Sequence, residues 1–335
     1  MDTRTLTSAK GFLIVDLPDA ESSVGPARLG DKLIPSNAID YVREITYGFG
    51  IVESKWGGAT LGLKVSPEER EATVGAVAGE LADELGAHKL MFDQGLRMPR
   101  ATLNELAAND PRPVDRAKIG DDLEAAGIVQ VAAALLGDLS GKAIAIDGVD
   151  SVTALAAAGL ATAGARIARV SDGKTAVSGD IPPSALADRL AGDEQAIASH
   201  GDAKPAWTIW KGEGVDLVIA GSKVGAMTDQ GAAVLGDTPV VCYGVSPVVT
   251  KAIATSRRSG GRIVPAFVTS LGRRLLDTAT SQADAAQLHS AAQQRLSSVL
   301  EATLESPAGP YVAACELAEA FISSWTDKPF GRPMA

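Results

Sequence analysis

Asp93 is the residue best placed to do chemistry, because it ends the short predicted strand 88–92 and precedes the glycine turn at Gly95. A carboxylate at a strand end can act as a general acid or base when burial in a pocket raises its pKa. The alternative is an aspartate that accepts hydrogen bonds from its own turn. Asp93 is therefore the first catalytic candidate, with turn capping as the competing interpretation.

The glycine-rich segment 56–62 is predicted to be a loop around Thr60. Glycine lets a backbone approach a ligand closely, so Thr60 is predicted to line a substrate pocket, with a purely structural turn as the alternative. Lys55 and Lys64 flank the segment. Each lysine is a candidate ammonium for a substrate or else a solvated surface residue, and Lys64 completes the catalytic set of Asp93 and Thr60.

Residues 141–172 have the strand, turn, helix and strand order of a dinucleotide-binding βαβ unit. The strands are predicted over residues 142–146 and 165–170, and the alanine-rich helix over residues 152–163. Backbone amides at a helix N-terminus bind anions, and an acid after the second strand binds a ribose. The predicted cofactor contacts are Gly148, Val149, Asp150, Ser151 and Asp172.

The glycine pattern of such units, G-x-G-x-x-G, falls here on Gly148, Asp150 and Thr153, so only its first glycine is present. Asp150 adds bulk and a negative charge where a pyrophosphate would lie. If a nicotinamide cofactor binds, Asp172 favours NAD over NADP, although the residue also suits a turn before Gly173. The sequence therefore predicts NAD as the cofactor, with no cofactor at all as the alternative.

The elements that position these residues alternate between β and α from residue 141 to residue 268, which predicts a parallel sheet covered by helices. Before this region, helices are predicted to begin at Asn37 and at Ser66, the latter with proline at its first position. After it, residues 271–325 are predicted to be helical. The fold class is therefore α/β.

Composition excludes several functional classes. The 335 residues carry a net charge of −10 without a basic stripe, which argues against a nucleic-acid partner. No apolar run of membrane-spanning length is present, and the first residues lack a signal-peptide pattern, so a cytoplasmic protein without a membrane partner is expected. Cys242 and Cys315 are expected to be buried free thiols, and the spacing of the three histidines predicts no metal site.

Several segments resemble the Glu/Leu/Phe/Val amino-acid dehydrogenase family. They are Ile45-Thr46-Tyr47, Gly57-Gly58-Ala59-Thr60-Leu61-Gly62, Leu90-Met91-Phe92-Asp93-Gln94-Gly95, Leu139-Ser140-Gly141-Lys142-Ala143-Ile144-Ala145-Ile146-Asp147-Gly148 and Val264-Pro265-Ala266-Phe267. The resemblance implies an N-terminal substrate and oligomerisation domain over residues 1–130, completed by helices within 278–335. It also implies a Rossmann-like domain over residues 131–277, an active-site cleft between the domains, and a homo-oligomer.

The sequence departs from this family at most catalytic positions. The family's two lysines fall on Gly48 and Thr60, and its later site residues fall on Ser246, Ala266 and Ser270. The resemblance places Asp93 as the acid/base carboxylate and Ser246 near the cofactor. A reaction that uses lysine ammonium groups to bind a carboxylate and to stabilise an oxyanion would lack those groups here.

Three functions are therefore open. The first is an NAD(H)-linked oxidoreductase acting on a small carbonyl, imine or alcohol, rather than ordinary deamination of a 2-amino acid. The second is a cofactor-free lyase, isomerase or hydrolase that uses Asp93 as its acid or base. The third is a non-catalytic relative that acts as a ligand sensor or as an assembly partner. The first two predict a small-molecule substrate.

Overall fold

The structure is a computed structural model that describes residues 1–280 and 284–335. It divides into two compact units. Unit 1 consists of Met1–Pro113, Asp277–Gln282 and Leu317–Pro333, and unit 2 consists of Val114–Leu276, Ala283–Glu316 and Met334–Ala335. No helix in the described part of the chain is long and apolar enough to cross a membrane.

Unit 1 contains a 5-stranded sheet with the order β1-β2-β4-β3-β5. Its strands are β1 (Asp2–Thr5), β2 (Gly11–Val15), β3 (Ser23–Leu29), β4 (Gly57–Leu63) and β5 (Leu90–Gln94). β3 runs parallel to β4 and β5, whereas β2 is antiparallel to β1 and β4. The carboxyl ends of β3, β4 and β5 therefore lie at one edge of the sheet.

Helices follow in chain order through both units. They are α1 (Ile39–Ile51), α2 (Arg70–Glu80), α3 (Ala82–Gly86), α4 (Arg100–Leu103), α5 (Arg116–Leu136), α6 (Ser151–Thr162), α7 (Pro183–Leu190), α8 (Asp229–Leu235), α9 (Thr250–Arg258), α10 (Ala266–Thr269), α11 (Leu271–Asp277), α12 (Ala285–Thr303) and α13 (Pro310–Ile322). Short 3-10 helices cover Pro35–Ala38, Ala198–His200 and Ala206–Trp210.

The glycine-rich segment predicted as a loop is the buried strand β4. A Cβ on Gly58 would lie 2.0 Å from the carbonyl oxygen of Val42 in α1, and one on Gly62 would lie 2.5 Å from the ring of Phe12. The glycines therefore let a helix and a ring pack directly on the strand. On the other face, Leu61, Leu63 and further apolar residues form the core of unit 1.

Unit 2 contains a 7-stranded sheet with the order β12-β11-β10-β6-β7-β8-β9. Its strands are β6 (Ala143–Asp147), β7 (Arg166–Ser171), β8 (Thr175–Ile181), β9 (Gly201–Pro205), β10 (Leu217–Ala220), β11 (Val240–Cys242) and β12 (Ile263–Val264). The strands from β12 to β7 are parallel, and β8 and β9 add an antiparallel edge. The next strand, β7, lies on one side of β6, and β10 lies on the other side. The strand order therefore reverses at β6, and such folds bind ligands in the crevice outside the carboxyl ends of the strands at this point, here β6 and β10.

The predicted βαβ unit is confirmed, since β6, α6 and β7 begin and end within one residue of the predicted bounds. Cys242 and Cys315 are buried and form no disulfide, as expected. Within residues 1–280 and 284–335, no group of three His, Cys, Asp or Glu side chains is arranged to hold a metal ion.

Candidate functional site

Asp93 lies near the end of β5, and its side chain is 36% exposed. Nη2 of Arg112 lies 3.1 Å from its Oδ1, and Nη1 of Arg112 donates to its Oδ2 over 3.3 Å. An opposite charge at this distance favours the ionised carboxylate, which is the form that a general base needs. Arg112 therefore orients a carboxylate that remains partly exposed.

Arg112 is fully buried and binds two further carboxylates, those of Asp110 at 2.8 Å and Asp277 at 3.0 Å. Burial lowers the pKa of this guanidinium, but the negative charges of Asp93, Asp277 and Asp110 outweigh it and the net pKa is raised. Arg112 therefore stays charged and fixes Asp93 at the edge of the sheet. In the sequence, Pro111 and Pro113 on either side of Arg112 indicate only a loop.

Thr60 is buried in β4, and its hydroxyl is engaged by neighbouring strands. It donates to the carbonyl oxygen of Pro26 over 2.9 Å and accepts a hydrogen bond from Nε of Arg28 over 3.2 Å. The guanidinium of Arg28 also lies 5.2 Å from the ring centroid of Tyr41. Thr60 therefore orients a cation.

Arg28 is partly buried at the end of β3, and desolvation lowers its pKa while Tyr41 opposes this shift. Within the described residues, no carboxylate lies within ion-pair distance of Arg28, and the protein provides a hydrogen-bond partner for Nε but for neither Nη atom. A desolvated cation without an anionic partner is costly. This arrangement is typical of a group kept for an anionic ligand.

The strand register places these groups on one face of the sheet. Pro26 pairs with Asp93 and Arg28 pairs with Gly62, so alternation along each strand puts Asp93, Thr60 and Arg28 on the same side. A Cβ on Gly95 would lie 2.7 Å from Cγ of Arg28. The stem of Arg28 thus passes the glycine that directly follows β5.

Lys55 and Lys64 are both exposed. Neither side chain has a hydrogen-bond or ion-pair partner in the described part of the chain. The cation that contacts Thr60 is Arg28, and the catalytic role predicted for Lys64 remains a prediction.

In unit 2, the first position of the G-x-G-x-x-G pattern requires glycine for structural reasons. Gly148 has φ +125°, and a Cβ there would lie 2.1 Å from the hydroxyl oxygen of Tyr243. The ring of Tyr243 lies against Gly221, where a Cβ would be 2.1 Å from Cε1. Burial raises the pKa of Tyr243, and the nearby carboxylates of Asp150 and Asp147 raise it further.

Asp150 is the N-cap of α6. Its Oδ1 accepts from the backbone N–H of Thr153 over 2.9 Å, and its own N–H donates to Oγ1 of Thr153 over 3.0 Å. Its Oδ2 accepts from the Tyr243 hydroxyl over 3.1 Å. A carboxylate of the chain therefore already occupies the anion position at this helix N-terminus.

The other predicted cofactor residues surround this turn. Val149 is partly exposed beside Gly148, and the Ser151 hydroxyl donates to the carboxylate of Asp121. A diphosphate lying against α6 would meet the Asp150 carboxylate and the Tyr243 hydroxyl. The residues at the start of α6 thus do not fit a diphosphate in the position that the βαβ unit predicts.

Asp172 is exposed and stabilises the turn between β7 and β8. Its Oδ1 accepts from the N–H groups of Lys174 and Thr175, each over 2.9 Å. Burial is the largest single influence and raises the pKa of Asp172, but these hydrogen bonds together with the charge of Arg189 outweigh it and lower the pKa overall. Oδ2 has no partner among the described residues and remains available to a ribose.

Ser246 is buried, with a left-handed φ of +42°, and its carbonyl oxygen accepts from the N–H of Gly225 over 3.0 Å. Left-handed backbone is uncommon at a serine and often marks functional sites. Its proposed cofactor contact remains a prediction.

A cavity of about 720 Å³ opens in unit 2 beside the carboxyl ends of β6 and β10. It is lined by Asp147, Gly173, Ala206, Trp207, Ile209, Trp210, Ser222, Lys223, Ala226, Thr228, Gln230, Gly231, Ala233 and Val234. Its volume is within the range of small-molecule sites.

The cavity combines aromatic and polar groups. Trp207 is 56% exposed, and Nζ of Lys211 lies 5.2 Å from its ring centroid. Asp147 accepts from the Ser222 hydroxyl over 2.5 Å, and burial raises the pKa of Asp147 although Ser222 and other hydrogen-bond donors oppose the shift. The cavity therefore presents an aromatic surface and a polar end.

Solved structures share this architecture. The leucine-bound hetero-hexameric glutamate dehydrogenase from Thermus thermophilus has a TM-score of 0.76 at 18% identity, over 94% of this chain and 84% of that chain. L-tryptophan dehydrogenase from Nostoc punctiforme has a TM-score of 0.68 at 14% identity, over 96% and 95%. A glutamate dehydrogenase from Plasmodium falciparum has a TM-score of 0.76 at 13% identity, over 94% and 77%.

The chain has the amino-acid dehydrogenase fold. This confirms the fold class and the architecture that the sequence resemblance implied. No family model matches the sequence, and no curated protein matches it either.

The sequence did not indicate how three neighbouring groups, those of Arg28, Arg112 and Tyr243, contact the candidate residues. One of them had a local signal: Arg28 is a charged residue within the otherwise apolar strand 24–29. The contacts of Arg112 with Asp93 and of Tyr243 with Asp150 had no such signal, because these pairs are separated by 19 and 93 residues along the chain. Each acts through contacts that exist only in the folded protein.

Proposed function

We propose that the protein is a dehydrogenase-like oxidoreductase that acts on a small substrate bearing an anionic group. The observation that carries this proposal is Arg28, whose partly buried guanidinium has no acidic partner among the described residues and lies on the same sheet face as Asp93. The shared dehydrogenase fold supports the reaction class. A carbonyl, imine or alcohol carbon next to the anionic group would be the reacting centre.

In this proposal, Arg28 binds the substrate anion through its two Nη atoms while Thr60 holds Nε. Bidentate binding of this kind fixes both the position and the orientation of a carboxylate or similar group. Asp93, kept ionised by Arg112, accepts a proton from the reacting O–H or N–H group and returns it in the reverse direction. Arg28 thus takes over the binding role for which the sequence offers no lysine at position 48 or 60.

The proposed cofactor is NAD(H), bound on unit 2 at the crevice of β6 and β10. The cavity beside Trp207 and the free Oδ2 of Asp172 support binding of a base and a ribose. The start of α6 does not fit the diphosphate, so the cofactor would lie differently from the position that the βαβ unit predicts. The acid at Asp172 favours NAD over NADP.

A fluorescence titration tests cofactor binding. NADH is expected to quench the protein's tryptophan emission saturably, because Trp207 lies in the cavity. Trp325, in unit 1, provides a matched control, since Trp325→Phe should leave the signal change intact while Trp207→Phe reduces it. Absence of binding at millimolar NADH and NADPH would remove the cofactor from the proposal.

The role of Arg28 is tested with NADH-dependent reduction of a panel of small 2-oxo acids, aldehydes and ketones, with and without ammonia. Substrates with an anionic group are expected to react faster than their neutral analogues. Arg28→Met should then raise KM by about 10- to 100-fold, the usual cost of losing hydrogen bonds to a charged group. Equal rates for anionic and neutral substrates, or an unchanged KM in Arg28→Met, would contradict the proposal.

A cofactor-free enzyme is the second candidate, and Asp150 is the observation that favours it. Its carboxylate closes the phosphate position of α6 within the chain itself. This candidate predicts turnover without any nucleotide, which Asp93→Asn would abolish. Turnover that depends strictly on NADH would exclude it.

We also propose that the protein is a homo-oligomer, following the sequence resemblance. The hetero-hexameric assembly named for the Thermus thermophilus enzyme supports association among proteins of this fold. Size-exclusion chromatography with light scattering measures the mass directly, and a mass near the 34.3 kDa of one chain would rule out the oligomer.

A further inference from the structure

The N-terminus of α6 is already satisfied by the chain. The capping box of Asp150 and Thr153 uses the backbone N–H of residue 153 and the N–H of residue 150, two donors that an approaching phosphate would need. The Asp150 carboxylate also has negative charge in the place that favours an anion. A phosphate could bind there only by displacing it.

Tyr243 fills the space above the first glycine. Its hydroxyl contacts Oδ2 of Asp150 over 3.1 Å and would lie 2.1 Å from a Cβ on Gly148. The ring is 1% exposed and packs on Gly221, so it has little room to turn away. The space that a glycine normally leaves for a ligand is filled here by the side chain of Tyr243.

The charge around this hydroxyl is also unfavourable for a phosphate. Asp147, Asp150 and Glu124 all face Tyr243. Glu124 is paired with Arg273 and accepts from the N–H of Gly244 over 2.8 Å, so its charge is already balanced, and the charge of Lys223 acts on Asp147 without an ion-pair contact among the described residues. Two carboxylates without a cationic partner in ion-pair contact, Asp147 and Asp150, then border the start of α6 among the described residues.

We propose that Asp150 and Tyr243 are a built-in occupant of the phosphate position of α6, so that unit 2 recognises a nucleotide by its base and not by its diphosphate. The inference rests on the proposed binding of NAD(H), and it specifies which part of the cofactor is recognised. The base lies in the cavity beside Trp207, which is also lined by Lys223. The diphosphate remains in solvent and contributes little affinity.

Binding of a ligand series to the wild-type protein is the first test. Adenosine, AMP, ADP-ribose and NADH are titrated separately by calorimetry, with inorganic pyrophosphate as the phosphate-only probe. The dissociation constants of adenosine and ADP-ribose are expected to agree within about threefold, since the charge-assisted hydrogen bonds that would give about tenfold or more are absent. Pyrophosphate is expected not to bind.

Variants of the occupant form the second test. Asp150→Asn keeps an N-cap of similar quality while removing the charge, and Tyr243→Phe removes the hydroxyl. The double variant is expected to bind ADP-ribose about tenfold more tightly than the wild type does, with adenosine unchanged. Asp138→Asn is the matched control, because Asp138 also accepts a backbone N–H, that of Ser140, in an exposed turn of unit 2.

The outcomes separate this inference from the proposed function. ADP-ribose that binds the wild type more than about tenfold tighter than adenosine overturns the occupant and leaves NAD(H) binding in place. A wild type that binds no nucleotide, with a double variant that binds ADP-ribose, supports the occupant and removes NAD(H) from the proposed function. Failure of both proteins to bind any ligand of the series, with circular dichroism showing folded protein, overturns both.

Discussion

The candidate residues of the two units differ in whether the protein satisfies them. At the sheet edge of unit 1, Arg28 has a hydrogen bond at Nε and no acidic partner in the described residues. At the crevice of unit 2, Asp150 and Tyr243 satisfy each other and the helix end. The comparison shows that the same kind of sheet edge can be kept open for a ligand or closed by the chain. The hydrogen-bond and ion-pair partners of a residue, more than its position on the sheet, indicate which of the two arrangements applies.

The largest expected effect tests whether Arg112 is structural support for Asp93. Arg112→Met would leave the carboxylates of Asp93, Asp110 and Asp277 without their shared cation. Breaking a buried ion-pair network costs about 3–5 kcal/mol, which urea denaturation would measure as a lower midpoint. The control is Arg4→Met, whose exposed ion pairs with Asp2 and Glu84 should contribute less than about 1 kcal/mol. A similar loss of unfolding free energy in both variants would show that the buried ion pairs of Arg112 stabilise the protein no more than exposed ones do.

A smaller effect is expected at the closed crevice. Gly148→Ala requires a Cβ at φ +125°, 2.1 Å from the Tyr243 hydroxyl, and such strain costs about 1–3 kcal/mol. Adding Tyr243→Phe removes the contact but not the backbone strain. The double variant should therefore recover part of the lost stability in urea. Recovery of none would mean that the hydroxyl does not fill the glycine's space.

The third effect depends on pH and concerns a carboxylate that is satisfied within unit 1. Arg332 is the main cause that lowers the pKa of Glu319 from 4.5 to about 2, and Tyr47 and Lys328 add to it. Because the folded pKa lies below the unfolded one, this stabilisation is present above pH 4.5 and is lost as the pH falls towards 2. Allowing for partial exposure, it is about 1–2 kcal/mol.

The measurement compares urea midpoints at several pH values within that window. Glu319→Gln should be less stable than the wild type at pH 7, and the difference should shrink as the pH falls. A constant difference across the window would assign the effect to packing rather than to charge.

The smallest effect separates the cap from its charge at α6. Asp150→Ala should cost about 1 kcal/mol, because the N–H of Thr153 loses its acceptor, whereas Asp150→Asn should cost only a few tenths. Thermal unfolding of the two variants gives the comparison. If Asp150→Asn were as unstable as Asp150→Ala, the hydrogen bond of a neutral cap would not suffice. The charge of Asp150 would then have a structural role as well.

The sequence predicted the fold better than the site. The βαβ unit over residues 141–172 depends on local patterns, namely apolar strands and an alanine-rich helix, and these were recognisable. The segment 56–62 was not, because its glycines suggest a loop unless Val42 and Phe12 are known to pack on them. Similarly, the alternation of β and α gave the parallel strands of unit 2 but not the antiparallel pair at its edge.

For the same reason, the sequence indicated candidate site residues but not the residues that contact them. Asp93, Thr60 and Asp150 could be selected from their residue types and neighbours in sequence. What each of them does depends on Arg112, Arg28 and Tyr243, which lie 19, 32 and 93 residues away along the chain. Such contacts follow from tertiary packing.

The antiparallel edge of unit 2 has a consequence for solubility. β9 is exposed along its whole length, carries Asp202 and Lys204, and ends at Pro205. Charged residues and proline on an edge strand discourage another chain from adding to the sheet. Unit 2 should therefore resist edge-to-edge aggregation at high protein concentration, and replacing Asp202, Lys204 and Pro205 with threonine or valine would remove that protection.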